Sequence, residues 1–378
     1  MRNIVTITFL FSFLITVSGQ QSMDNEITQR FITELEKESI KSAFLHIYSK
    51  SKEINIQLAQ GKNADEDALN LNNPFYTASI TKMLTATSIG ILKDMGKLDF
   101  DDKISQYLTK SLLKKLHLFN GKDYTNEITI THLLQHTSGL PDYFTDETID
   151  GSQNIINQLL VDANRLWTPY EMIEFTKEKM KPHFIPGQGY HYTDTEYVLL
   201  ALIIEKVSGI SYNEFLKKHI FQPLAMSNSY INLKSSPIKN QFPIAKFYAG
   251  DIELSSIKSL SADWGGGGLV STTKDLITFL EAFNADKIVK KNTRLAMQNW
   301  IDETVGMEYG YGIRKISFNV LYKINTGLQL IGHTGSTASF LWYCPELDIY
   351  IAGTLNQLEA SKSTISLVYD VLKIIEGK

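Results

Sequence analysis

Three short groups of residues carry side chains that could do chemistry together. Ser79-Ile80-Thr81-Lys82 stands where an extended segment, Pro74 to Thr77, meets a helical pattern that stops at Gly96. Three residues apart on a helix, the Ser79 hydroxyl and the Lys82 ammonium share a face. A lysine so placed can shuttle the serine proton or stabilise its alkoxide, and a helix N-terminus favours developing negative charge. Taken alone, the pair also describes a serine cap followed by a solvated lysine. Tyr192-Thr193-Asp194 follows Pro186-Gly187 and precedes another helix. A phenol beside a cation can act as general base towards a serine hydroxyl and return the proton to a leaving group, although most buried tyrosines are simply packed. Gly332-His333-Thr334-Gly335-Ser336 lies in strand-rich sequence, with glycines where another backbone must come close. Its N–H groups, with that of Ser79, could hold the oxyanion of an acyl-transfer intermediate; a strand with a glycine bulge is the alternative.

The elements expected to hold these groups follow from hydrophobic periodicity. Asp24 to Glu38 predicts a helix and Ala43 to Leu58 two short strands. Helices are expected over Thr85 to Met95, Thr131 to His136, Pro169 to Met180, Glu196 to Val207 and Tyr212 to Ile220. Strands return in Tyr311 to Ile316, Leu328 to Gly332, Ser339 to Tyr343 and Leu347 to Thr354, and Thr364 to Glu376 closes the chain as an amphipathic helix. The expected fold class is α/β (α+β): an antiparallel sheet flanked by the terminal helices, with an inserted all-helical lobe. The α/β lobe takes about 24–78 and 250–378, the helical lobe about 79–249. Without a repeat or linker, the two form one unit over 20–378, with the site at their junction.

Composition narrows the function. The 37 basic against 41 acidic residues, with no basic block, argue against nucleic acid as a partner. One cysteine, Cys344, excludes a disulfide framework or a cysteine-based zinc cluster. Met1-Arg2-Asn3, an apolar run from Ile4 to Val17 and small residues at Val17-Ser18-Gly19 read as a signal peptide over 1–19, too short for a lasting membrane anchor. An exported, periplasmic or secreted protein acting on a small molecule or peptide is expected.

The order S-x-x-K, Y-x-(N/D), (K/H)-T-G at 79, 192 and 333 resembles the serine family of class C β-lactamases, D-alanyl-D-alanine peptidases, penicillin-binding proteins and related esterases. Thr129-Ile130-Thr131-His132-Leu133-Leu134-Gln135-His136-Thr137-Ser138-Gly139-Leu140-Pro141-Asp142-Tyr143 looks like a family signature, as does Gly266-Gly267-Gly268-Leu269-Val270-Ser271-Thr272. The resemblance implies a β-lactamase/transpeptidase-like fold, Ser79 as acylated nucleophile, and Lys82 and Tyr192 as managers of its proton. It implies an oxyanion hole from the amides of Ser79 and Ser336. Asp194, His333, Thr334, Gly335 and Ser336 would contact substrate, with Thr334 and His333 near a substrate carboxylate. No metal or organic cofactor is implied. A D-alanyl-D-alanine-carboxypeptidase-like peptidase or an esterase is expected, with cell-wall peptides as candidate substrates. A class C-like β-lactamase and a catalytically silent sensor are the alternatives.

Two positions depart from the usual motifs. Asp194 replaces an asparagine that could donate to a substrate carbonyl, and an ionised Asp194 beside Lys82 would hold the lysine charged, leaving Tyr192 as base. His333 replaces a lysine, so carboxylate recognition would weaken as the imidazole loses its proton. His132 and His136, four apart, lack the glutamate of a zinc-protease helix, and no G-x-S-x-G elbow or phosphate-binding loop is present. The run Gly265 to Gly268 reads as a flexible turn before a helix capped by Ser271 or Thr272. Trp264, Tyr311, Trp342 and Tyr343 are candidate cleft walls.

Overall fold

The computed structural model of the chain describes residues 5–37, 40–239 and 242–377, with side chains from residue 21 onward. The expected leader falls on residues 1–4, outside the described residues, and on the start of a helix, Val5–Lys37, where side chains are not described before residue 21. Among the described residues no helix is long and apolar enough to cross a membrane.

Eight strands form one antiparallel sheet in the spatial order Ile301–Thr304, Met307–Tyr309, Arg314–Ser317, Gln329–Gly335, Ser339–Cys344, Ile349–Thr354, Ser42–Ser49, Ile54–Gly61. The first and last parts of the chain meet at its centre, where Ile47 faces Ile351 and Leu45 faces Gly353. Side chains alternate across a strand, so Ser42–Ser49 serves two cores. Ala43, Leu45 and Ile47 point to the terminal helices, with Ile27, Phe31, Val368, Val371 and Leu372, while Phe44 points the other way. The terminal helices are also tied by Arg30, whose Nε lies 2.8 Å from Asp370. On the opposite face Thr273–Asn284 packs on Ile349–Thr354 and its neighbours. The Thr272 hydroxyl caps this helix by accepting the Asp275 N–H at 3.2 Å.

The helical part is built around two helices, Thr81–Asp94 and Asp194–Ser208. Every residue from Thr81 to Leu92 is buried, so the helix is enclosed on all sides. Its polar side chains turn inward to carbonyls, Thr87 to Met83 O at 2.7 Å and Ser88 to Leu84 O at 2.8 Å. It ends at Gly96, φ +69°, where the Gly96 N–H reaches Lys93 O and the Lys97 N–H reaches Leu92 O, a Schellman closure that needs a left-handed residue. The region expected to be all-helical also holds a small hairpin, Leu118–Phe119 with Lys122–Asp123. A three-stranded sheet of Phe75–Tyr76, Leu269–Ser271 and Tyr230–Ile231 joins the two parts beside the site.

Candidate active site

Ser79 lies in a single 3-10 turn, Ala78–Ile80, between the strand Phe75–Tyr76 and the buried helix. Ala78 has φ +46°, a conformation rare for a residue with a side chain, and the sharp turn presents Ser79 at the helix start. The strand-end residues 335–339 are stitched to this turn: the Thr337 hydroxyl donates to Tyr76 O at 2.8 Å and the Ser339 hydroxyl to Thr77 O at 2.7 Å. A Cβ on Gly335 would sit 2.3 Å from Thr77 O, so glycine is what lets the two backbones meet. Ser79 and Ser336 thereby line one cavity, together with Tyr192 and Asp194.

The Lys82 ammonium is buried and has a partner for each of its three protons. It donates to Ser79 Oγ at 3.2 Å, to Gly266 O at 3.0 Å, and to Asp194 Oδ1 in a tight ion pair. Burial alone would lower the lysine pKa, but Asp194 and then Tyr192 outweigh it and the net direction is up. Lys82 therefore rests as an ammonium. A Cβ on Gly266 would lie 2.2 Å from Asp194 Oδ1. The expected flexible glycine turn is instead a buried helical turn, Trp264–Gly267, packed so closely that a Cβ on Gly265 would meet Ala201 Cβ at 2.6 Å. Small residues are needed there because two backbones pack on the Lys82–Asp194 pair.

Tyr192 precedes the Thr193 cap of the helix Asp194–Ser208. Its ring centroid is 4.8 Å from Lys82 Nζ and 5.8 Å from Arg314 Cζ, and it lines the same cavity as Ser79. Burial raises its pKa, opposed by the charges of Lys82 and Arg314. The resting phenol is protonated, and the two cations are what would stabilise its phenolate.

Arg314 was not singled out from the sequence. It stands opposite Gly332 in the sheet register, donates from Nη1 to Thr334 Oγ1 at 3.1 Å, and is clamped by Glu303 through contacts of 2.5 and 2.6 Å. Its guanidinium stays charged, because the Glu303 pair outweighs the desolvation that opposes it. His333 is fully buried. Its Nδ1 is 2.6 Å from Thr334 O and its Nε2 3.0 Å from the Tyr309 hydroxyl, and burial followed by Arg314 pushes its pKa well down. The imidazole is neutral throughout the neutral range and both nitrogens are occupied, so the expected titrating contact with a carboxylate gives way to a positioning role. Thr334 is half-buried beside Arg314, and Ser336 is exposed at the cavity mouth.

His132 and His136 do not form a metal pair. His132 Nδ1 accepts the Thr129 N–H at 3.2 Å in a helix cap, and His136 lies past the helix end at φ +61°. His136 Nδ1 contacts Glu196 Oε2 at 2.5 Å. Burial lowers the histidine pKa and raises that of the carboxyl, so this pair is neutral, under the Tyr192 ring at 4.3 Å.

The cavity holds about 380 Å³ and is walled by Tyr76, Phe144, Ile156, Leu159, Leu160 and Phe247. None of the aromatics expected there takes part: Trp264, Tyr311 and Trp342 are core residues, and Tyr343 lines a separate hollow with Asn284 and Tyr350. Two further carboxyls share the cavity with Asp194. Burial, then Asp194, pushes Asp142 up to about 6 and Asp263 up to about 7.

A family model described as Beta-lactamase matches residues 27–372. A penicillin-binding protein of Bacillus subtilis is 31% identical over 261 residues, 65% of this chain and 52% of that protein. The chain spans about half the length of the first two curated relatives it matches, both from Bacillus subtilis. The solved D-amino acid amidase from Ochrobactrum anthropi in complex with D-phenylalanine aligns with a TM-score of 0.76 at 21% identity, over 94% of this chain and 100% of that one. An octameric penicillin-binding protein homologue from Pyrococcus abyssi gives 0.74 at 25% identity, over 94% and 77%.

Proposed function

The chain belongs to the beta-lactamase family, and on that premise we propose that it is an exported serine hydrolase that cleaves amides or esters through a Ser79 acyl-enzyme. The observation that carries the reading is the Lys82 ammonium, bonded at once to Ser79 Oγ, Asp194 and Gly266 O beside the Tyr192 phenol. With Lys82 already charged, Tyr192 in its phenolate form takes the Ser79 proton as Oγ attacks the carbonyl carbon. The amides of Ser79 and Ser336 receive the oxyanion. Tyr192 returns the proton to the leaving amine or alcohol, and water then releases the acid by the same route.

The substrate class follows from cavity and charge. The apolar walls suit a bulky aliphatic or aromatic acyl part, larger than the methyl of alanine. A free carboxylate on the leaving group needs an unspent cation, yet Lys82 is paired with Asp194, Arg314 with Glu303, and His333 is neutral. Neutral leaving groups are therefore favoured: simple amides and esters ahead of carboxypeptidase substrates. The likeness to a D-amino acid amidase accords with this choice. A β-lactam carries such a carboxylate, and Asp194 offers no amide donor to its side-chain carbonyl.

The test is intact-mass spectrometry with an activated apolar ester and, in parallel, a fluorescent penicillin, against Ser79→Ala. A Ser79-dependent acyl adduct or turnover with the ester is expected, with kcat/KM rising up to about fourfold per added methylene, as about 0.8 kcal/mol per buried CH2 implies. Fast penicillin turnover would favour the lactamase alternative. If Ser79 reacts with neither reagent, the hydrolase reading fails and the silent sensor replaces it.

A further inference from the structure

We propose that Asp146, His183 and His191 form a binding site for one divalent transition-metal ion of the zinc class, at the rim of the active site. The three residues come from two segments flanking the cavity. Asp146 ends the turn that begins at Asp142, and the two histidines stand in the irregular stretch before Tyr192. Main-chain bonds fix all three. The Asp146 N–H donates to Asp142 O at 3.1 Å, the His183 N–H to Gly139 O at 2.8 Å, and the His191 N–H to His136 O at 2.9 Å.

The side chains converge on one point. His183 Nε2 lies 2.7 Å and His191 Nε2 2.9 Å from the same carboxylate oxygen, Asp146 Oδ2, with the imidazoles tilted by 35° and 3.7 Å between centroids. All ligand atoms fall within 4.8 Å of one another. Zinc–ligand bonds of about 2.0–2.1 Å in tetrahedral geometry need ligand atoms roughly 3.3 Å apart, so an ion between them requires each imidazole nitrogen to draw back from the carboxylate oxygen by about half an ångström. Two imidazoles and one carboxylate select zinc-like ions over magnesium or calcium. Side-chain exposures of 16% for Asp146, 26% for His191 and 39% for His183 leave a path for the ion and room for a water as fourth ligand. The Asp142 N–H, 2.8 Å from Oδ2, would orient the ligating carboxylate from behind.

None of the three side chains lines the cavity that holds Ser79. The ion would act as a clamp between the turn carrying Asp142 and the segment carrying Tyr192, outside the reaction. Sequence spacing concealed it: His183 and His191 are eight apart in a non-helical stretch, and Asp146 lies 37 residues before the first of them.

The experiment uses the untagged full chain, stripped with chelator and dialysed, then titrated with Zn2+ by calorimetry and with Co2+ by visible absorption. One Zn2+ per chain, a higher Tm with Zn2+, and the d–d bands of a four-coordinate Co2+ site are expected. His183→Ala and Asp146→Asn should each weaken Zn2+ binding at least tenfold, the loss that even outer partners of metal ligands cause. Asp146→Asn keeps the shape, and a circular-dichroism melt of each variant separates lost ligation from lost folding. His132→Ala should bind as wild type does. Absence of saturable Zn2+ binding by the wild-type chain, or undiminished binding by folded Asp146→Asn, overturns the site. These readouts do not depend on hydrolysis, so they stand whether or not Ser79 is the nucleophile.

Discussion

Asp194→Asn tests the proton logic of the site. The substitution keeps the side chain's shape and removes the charge opposite Lys82. Two unit charges about 4 Å apart at an effective dielectric near 20 attract by about 4 kcal/mol, equivalent to roughly three decades in a protonation equilibrium. Asp194 contributes most to raising the Lys82 pKa against burial, so its removal should bring that pKa down and populate the neutral amine. Neutral Lys82, 3.2 Å from Ser79 Oγ, then becomes a base itself. On the proposed mechanism the wild-type base is the Tyr192 phenolate, whose pKa is raised, so acylation should climb about tenfold per pH unit through the alkaline range. In Asp194→Asn that limb should move to lower pH by one to three units, the upper figure being the full Coulomb value. The assay is stopped-flow acylation by an activated ester from pH 5 to 11, with Ser79→Ala as background. Tyr192→Phe should abolish alkaline activity in the wild-type chain and cost far less in Asp194→Asn, where Lys82 takes over. A pH profile of Asp194→Asn that superimposes on the wild type would refute the reasoning, because Asp194 would then not be what keeps Lys82 charged.

Gly266→Ala drives a Cβ to 2.2 Å from Asp194 Oδ1, so the ion pair must part; an acylation loss above 100-fold and a destabilisation of about 3 kcal/mol are expected from kinetics and urea melts. Asp263 has its folded pKa raised to about 7 from an ordinary value near 4, so the folded state binds the extra proton and stability falls as pH rises from 4 to 7. Asp263→Asn should therefore match the wild type near pH 4 and exceed it by up to roughly 4 kcal/mol at pH 8; an equal difference at both pH values would mean the carboxyl is not held protonated. Glu303→Gln unclamps Arg314 beside Thr334, and the kcat/KM ratio for substrates with a free carboxylate on the leaving group, relative to their amides, should rise at least tenfold; an unchanged ratio would separate Arg314 from leaving-group recognition.

The parts of the fold legible in the sequence were those governed by local periodicity. The apolar stripe Ile27, Phe31 and Leu35 and the amphipathic close at Thr364 to Glu376 gave the terminal helices, and the β-branched runs gave the middle strands. The two strands at one side of the sheet, Ile301–Thr304 and Met307–Tyr309, were missed. The less exposed face of Ile301–Thr304 pairs Ile301 with the charged Glu303, so no apolar alternation shows, and a shift of register between Asp302 and Thr304 breaks the period. In the site, motif order marked Ser79, Lys82, Tyr192 and the strand at 333–336. Arg314 and Glu303 escaped because their partnership reaches across an intervening strand, Met307–Tyr309, and leaves no spacing signal. The neutral state of His333 depends on its burial against Tyr309, which no linear pattern records.

The two substitutions in the motifs are one electrostatic arrangement rather than two accidents. An asparagine at 194 would leave the Lys82 amine without its carboxylate partner, and a lysine at 333 would add a second amine. Here an aspartate cancels the first and a buried imidazole replaces the second. Glu303 then cancels Arg314, while Asp142 and Asp263 remain with pKa values near neutrality. As pH rises through 6 to 8 these two lose their protons, and the cavity goes from near neutral to anionic around an apolar wall. Anionic leaving groups are then repelled, neutral ones are indifferent, and an acyl part bearing an ammonium gains, since a cation compensates carboxylates that burial alone keeps protonated. On the proposed hydrolase reading these residues select substrate charge, while the apolar walls select acyl size.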